Sequence, residues 1–317
     1  IKMNRVNLFL LLTFAINWSM AGLFYLLFPS KEQIPYTIMA LLYMFIPAIV
    51  VIIIDKLIDK RKGFKSLAIN FKLNRWFLVA WLGVVLVAFI LVGLSLLWPG
   101  INYSPDMSGY YERLSAQLGG EDIDKLKAQM AMMPIPYWII AVIQTLIAGI
   151  SVNALAGFGE ELGWRGFLVR EYKNLKFWNA SLRIGIIWGI WHAPLILMGH
   201  NYPEHPLLGV GFMVVFCLLV SPLILYIRMK THSVIGAAVM HGTMNGSAGI
   251  PILFIAGGND LTTGFTGITG FILLALVIAI TIIYDLKFAP VSITNKTLLE
   301  GASVDQTKIP AEESSNY

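Results

Sequence analysis

Charge and cysteine are scarce in this chain, and two common signatures of membrane-embedded hydrolases are missing. Only 13% of its 317 residues are charged, and it holds one cysteine, Cys217. A lone thiol cannot close an intramolecular disulfide, and its place in an apolar run marks Cys217 as a small packing residue. There is no His-Glu-x-x-His run, which would have signalled a helical zinc site, and no Gly-x-Ser-Gly, which would have signalled a serine nucleophile. What is abundant is apolar sequence, with 57% hydrophobic residues and a mean hydropathy of +0.73. Apolar runs of that extent belong to an all-α polytopic membrane protein rather than to a soluble core.

Hydrophobic runs near 7–28, 36–54, 77–98, 136–158, 184–199, 207–227, 233–255 and 265–284 predict about eight transmembrane helices. The first is too long for a signal-peptide core and lacks a clear small-residue cleavage site, so it reads as a retained span. The connection 55–76 carries Lys56, Lys60, Arg61, Lys62, Lys65, Lys72 and Arg75. The positive-inside rule puts it in the cytoplasm. Alternation from there makes both termini cytoplasmic and leaves only Lys31, Arg113, Lys125 and Lys127 outside. The net charge of +5 is thereby explained by topology, with the lipid bilayer as the partner and no nucleic acid implied. Residues 1–290 form a single transmembrane domain on this reading. The extracytoplasmic segment 99–136 contains an amphipathic stretch able to lie on the bilayer or cap the bundle. Residues 291–317 read as a disordered cytoplasmic tail.

The chain's most informative stretch is Glu160-Glu161-x-x-x-Arg165, set among apolar residues and glycines. Ionisable groups at membrane depth are costly and mark function. Glu161 and Arg165 are four apart and share a helix face, where they can pair; Glu160 is rotated away without a local partner. His192 and His241 each lie about eight residues into their runs, or roughly 12 Å deep at 1.5 Å per residue. Trp188 precedes His192 by four and can pack on its ring. Asn245 follows His241 by four and shares its face. For Glu160 to reach that depth, its helix must continue toward Tyr172. A straight helix over 136–172 would be about 55 Å long, against a hydrocarbon core of roughly 30 Å, so a bend or a strong tilt is expected, with a bend falling near 149–151. Either histidine alone reads as a satisfied core residue. Asn17, Gln144 and Asn153 read as helix–helix hydrogen-bonding residues.

Glu160-Glu161-x-x-x-Arg165, Trp188-x-x-x-His192 and His241-x-x-x-Asn245 together resemble the type II CAAX prenyl protease and bacteriocin-processing family of intramembrane proteases, also called the CPBP or Abi family. The resemblance covers about 136–255, with Trp188 where that family usually has phenylalanine. It implies an eight-helix fold with its active site in the cytoplasmic half and hydrolysis of a peptide bond in a membrane-associated substrate, prenylated or leader-peptide in type. It further implies that Glu160 and His192 activate water, that His241 and Asn245 hold the oxyanion, and that Glu161 and Arg165 support them.

No cofactor is required by a glutamate–histidine water mechanism. The family is also called metalloprotease, so a zinc ion held by Glu160, His192 and His241 stays open. Two other classes of function remain beside it. One is a multi-pass transporter using these charges as a proton or solute path. The other is a non-catalytic membrane immunity or chaperone protein of protease ancestry. The expected location is a bacterial plasma membrane.

Overall fold

A computed structural model describes residues 4–28, 33–115 and 120–304. It is almost wholly helical. In chain order the helices are α1 (Arg5–Leu27), α2 (Ile34–Ile58), α3 (Arg75–Ser95), α4 (Ser108–Ser115), α5 (Gly120–Ala131), α6 (Tyr137–Ile150) and α7 (Val152–Glu171). They continue as α8 (Phe177–Trp191), α9 (Ala193–Leu197), α10 (Pro206–Thr231), α11 (Val234–Ser247), α12 (Ile250–Phe254), α13 (Ile268–Lys287) and α14 (Leu298–Val304). Local sequence sets several starts: the side chains of Asn4, Asn74 and Ser233 accept the backbone N–H two residues on, as N-caps do.

All eight apolar runs are helical, and the chain is a multi-pass membrane protein. Five helices, α1, α2, α3, α10 and α13, are long and apolar enough to cross a bilayer. The α6–α7 pair makes a sixth if its two arms, bent by 44°, count as one span. That bend falls at Ser151, inside the stretch where the long helix was expected to break. Two further runs, 184–199 and 233–255, are interrupted instead of continuous. One breaks at His192 ahead of Pro194, and the other at Ala248 and Gly249.

One end of the bundle gathers the basic residues. Arg170 at the end of α7 grips Asp55 at the end of α2 with two hydrogen bonds, of 2.6 and 2.8 Å. Such a bidentate pair fixes geometry as well as charge. Arg5 pairs with Asp59 at the same end. At the opposite end Asn102–Tyr103 pairs antiparallel with Ile255–Ala256. There α4 closes over the bundle, with Arg113 donating to the Gly257 carbonyl.

The disordered tail expected over 291–317 needs correction for residues 291–304. Buried Asp285 accepts from the Ser292 hydroxyl, the Ile293 and Thr294 backbone N–H groups and the Thr294 hydroxyl. Beyond it Phe177 donates to the Lys296 carbonyl, while Leu298 and Leu299 donate to the carbonyls of Leu175 and Lys173. This polar segment is ordered by its hydrogen bonds, which composition does not register. Residues 305–317 lie outside the described residues.

Candidate active site

The site is built on α7 where it crosses α2, α8 and α11. Gly159 brings α7 onto α2: a Cβ there would meet the Met44 carbonyl oxygen at 2.7 Å. Gly242 does the same between α11 and α7, where a Cβ would meet Ala154 N at 2.4 Å. Small residues at crossings let helix backbones approach closely. Immediately after the two glutamates α7 widens into a π-helical stretch, Leu162–Phe167. Such wide turns recur at functional sites because they re-aim side chains.

Glu160, Glu161 and Arg165 are all buried. The two carboxylates, adjacent in sequence, have different partners. Glu161 Oε1 faces Arg165 Nη1 at 3.0 Å and His241 Nδ1 at 2.9 Å. Arg165 also reaches the Ser221 hydroxyl at 3.3 Å and lies over the Trp188 ring, 4.7 Å from its centroid. Glu160 Oε2 accepts the Trp188 indole N–H at 2.7 Å. The Trp164 indole N–H approaches the same carboxylate but is buried without a hydrogen-bond partner among the described residues.

His192 sits at the break between α8 and α9, its Nδ1 2.8 Å from the Trp188 carbonyl oxygen. A carbonyl only accepts, so Nδ1 carries a proton, and in the neutral ring this tautomer presents its lone pair at Nε2. A ring of hydrogen bonds holds the backbone just before it. Trp191 Nε1 donates to Asn17, Asn17 Nδ2 donates to the Tyr43 carbonyl, and Tyr43 OH donates back to the Trp191 carbonyl. Asn17 is thus a helix–helix hydrogen-bonding residue.

Five of the seven residues singled out in the sequence meet directly: Glu160 with Trp188, and Glu161 with Arg165 and His241. His192 joins them through Trp188, whose ring centroid is 5.6 Å from that of His192 and 5.3 Å from that of His241. Glu160 and His192 make no direct hydrogen bond. Asn245 is exposed and its side chain makes no hydrogen bond among the described residues, so its amide is not committed to another side chain. The sequence reading missed Trp164 and Ser221. Trp164 lies within the Glu-Glu motif, which was the available signal; Ser221 had none.

The residues present do not fit a zinc ion at this site. Among the described residues, the one group of three His or carboxylate ligand atoms within 4.8 Å of one another is Glu204, His205 and Asp260. That cluster lies elsewhere, and its Asp260 already accepts from the backbone N–H groups of Glu204 and His205 while facing His205 Nδ1 at 2.6 Å. At the Glu-Glu site Trp188 occupies Glu160 Oε2 and lies against both imidazoles.

Comparison with known proteins bears on this segment. A curated relative, "CAAX prenyl protease 2" of Methanococcus maripaludis, is 41% identical over 49 residues, which is 15% of this chain and 18% of the relative. The chain therefore matches less than a fifth of that relative's length. The family model described as "Type II CAAX prenyl endopeptidase Rce1-like" matches residues 138–247, the stretch that carries all three motifs. Over residues 138–247 the chain is thus similar to the Rce1-like type II CAAX prenyl endopeptidases.

Proposed function

We propose that this protein is an intramembrane endopeptidase that hydrolyses a peptide bond in a membrane-associated substrate, of the prenylated CAAX or leader-peptide type. The observation that carries the reading is the division of labour between two buried neighbours. Glu161 is committed to Arg165 and His241, whereas Glu160 is held by one indole N–H. A carboxylate with so little compensation is suited to accept a proton.

In the proposed reaction a water between Glu160 and His192 attacks the substrate carbonyl carbon. Glu160 takes the water's proton, with the lone pair of His192 Nε2 orienting the water. The carbonyl π electrons move to oxygen. The oxyanion is held by the Asn245 amide and by Nε2–H of a protonated His241, whose Nδ1–H stays on Glu161. Each such donor is typically worth about 3 to 4 kcal/mol in the transition state. Collapse of the tetrahedral intermediate breaks the C–N bond, and Glu160 returns its proton to the leaving amine. No step passes through a metal.

The test is hydrolysis by purified protein in detergent, offered a farnesylated CAAX peptide and a membrane-associated leader peptide. Cleavage of either that disappears in Glu160→Ala supports the reading. Full activity in that variant overturns it, as does solute flux in liposomes with no cleavage of any membrane peptide.

A further inference from the structure

A second feature lies against the neighbouring face of α11, which carries Met240 and Met244. An apolar cavity of about 480 Å³ runs between α3, α10, α11 and α13. Its volume is in the range of small-molecule sites, but its shape is that of a slot along the bundle. The α3 wall extends from Trp76 to Val87, roughly 16 Å at the helical rise. The α13 wall runs antiparallel to it, from Tyr284 to Leu274. That is about half of a 30 Å hydrocarbon core, the depth of one leaflet.

The two ends of the slot differ. The end farther from the basic residues is lined by apolar side chains including Phe265 and Leu274. The end nearest the basic residues has an aromatic collar, in which the Trp76 ring lies 5.5 Å from Tyr226 and 5.7 Å from Tyr284. Tyrosine and tryptophan collect where hydrocarbon meets headgroups. Arg75 stands at this mouth, exposed, its guanidinium without a hydrogen bond or ion pair among the described residues. It is also the first residue of α3, where the helix dipole favours an anion. Asp285 does not neutralise it, because that carboxylate is taken up by Tyr226, Ser292, Ile293 and Thr294.

An apolar slot one leaflet deep, an interfacial collar and an unpaired cation at its mouth match one occupant. We propose that this slot holds one acyl chain of an anionic phospholipid, with its phosphate on Arg75. The inference stands apart from the proposed hydrolysis. It bears on the site through α11, where Met240 and Met244 line the slot on either side of His241 in sequence.

The experiment reconstitutes the full chain in nanodiscs of phosphatidylglycerol and phosphatidylcholine in equal parts, then counts retained lipids by native mass spectrometry on release. The wild type is expected to retain phosphatidylglycerol at least fivefold over phosphatidylcholine. Arg75→Ala, an exposed change, should reduce that preference to near unity. In Gly83→Leu, where a Cβ meets only Val79 Cγ1 at 3.7 Å, the side chain enters the slot, and retention of both lipids should fall. No preference in the wild type, or a preference unchanged in Arg75→Ala, overturns the proposal. So does displacement of phosphatidylglycerol by equimolar farnesylated peptide, which would make the slot part of a substrate site. If Gly83→Leu does not fold, the Arg75→Ala comparison decides alone.

Discussion

Trp188 donates its indole N–H to Glu160 Oε2 at 2.7 Å, so a residue expected to pack on His192 is also the hydrogen-bond partner of the unpaired glutamate. Replacing it with phenylalanine separates the two roles. Trp188→Phe keeps a ring against both imidazoles but leaves a buried carboxylate oxygen without its donor, at a cost of about 1 to 3 kcal/mol. The expected result is a melting temperature lowered by several degrees, with hydrolysis retained to within roughly tenfold, about 1.4 kcal/mol of barrier. Trp188→Ala should lose both, since Arg165 then also loses the ring it lies over. Equal stability of wild type and Trp188→Phe in a thermal shift assay would show that the indole N–H contributes nothing.

The metal question has its own test. Glu160, His192 and His241 are not gathered as a ligand set, and Trp188 holds the one Glu160 oxygen nearest to it. Hydrolysis by the purified protein should therefore stay within about twofold after treatment with 1,10-phenanthroline, well under the loss that removing a Lewis acid would cause. Inhibition reversed by added zinc would count against a water mechanism run by side chains alone.

Much of the site was legible because helix spacing constrains it. The four-residue step from Glu161 to Arg165 gave their ion pair, and the expected convergence of His192 and His241 corresponds to their shared contact with the Trp188 ring. The excess length of a 136–172 helix gave the bend at Ser151. What spacing could not give is register beyond a local irregularity. The π-helical stretch Leu162–Phe167 has no distinct sequence signal. Partners chosen by tertiary packing, such as Ser221 for Arg165 and Trp188 for Glu160, follow from helix rotations that periodicity leaves free. Likewise, hydropathy treats 184–199 and 233–255 as spans, although each is broken where a polar or glycine residue interrupts the helix.

Glu161 and Arg165 form a fully buried ion pair with His241 on the same oxygen. Removing one partner of such a pair strands the other charge and typically costs about 3 to 5 kcal/mol. Arg165→Met and Glu161→Leu should each show strong destabilisation in a thermal shift assay. The double variant should recover part of the loss, since an apolar pair of similar volume leaves no stranded charge. Hydrolysis should not return with stability, because His241 then lacks the carboxylate that aligns it. Arg165→Lys is expected to behave more like the single losses than the wild type. An ammonium cannot serve Glu161, Ser221 and the Trp188 face together. Wild-type stability in Arg165→Met would show that the charge pair is not structural.

The docking of residues 291–304 makes a prediction that composition alone would reverse. Asp285 is the hub: it accepts from two backbone N–H groups and two hydroxyls of that segment and lies 3.7 Å from Lys230 Nζ. Lys230 in turn donates to the Val291 carbonyl at 2.8 Å. Asp285→Ala removes the shared acceptor and leaves several buried donors unmatched, each worth on the order of 1 to 3 kcal/mol when stranded. The segment should then detach from α8, where Phe177 N–H is bonded to the Lys296 carbonyl. Limited proteolysis with trypsin reads this at Lys296, which should be cut much faster in Asp285→Ala than in the wild type. Equally rapid cutting in both proteins would mean that the hydrogen bonds to Asp285 do not hold the segment down. A free tail would give that result, so the comparison separates the two readings of these residues directly.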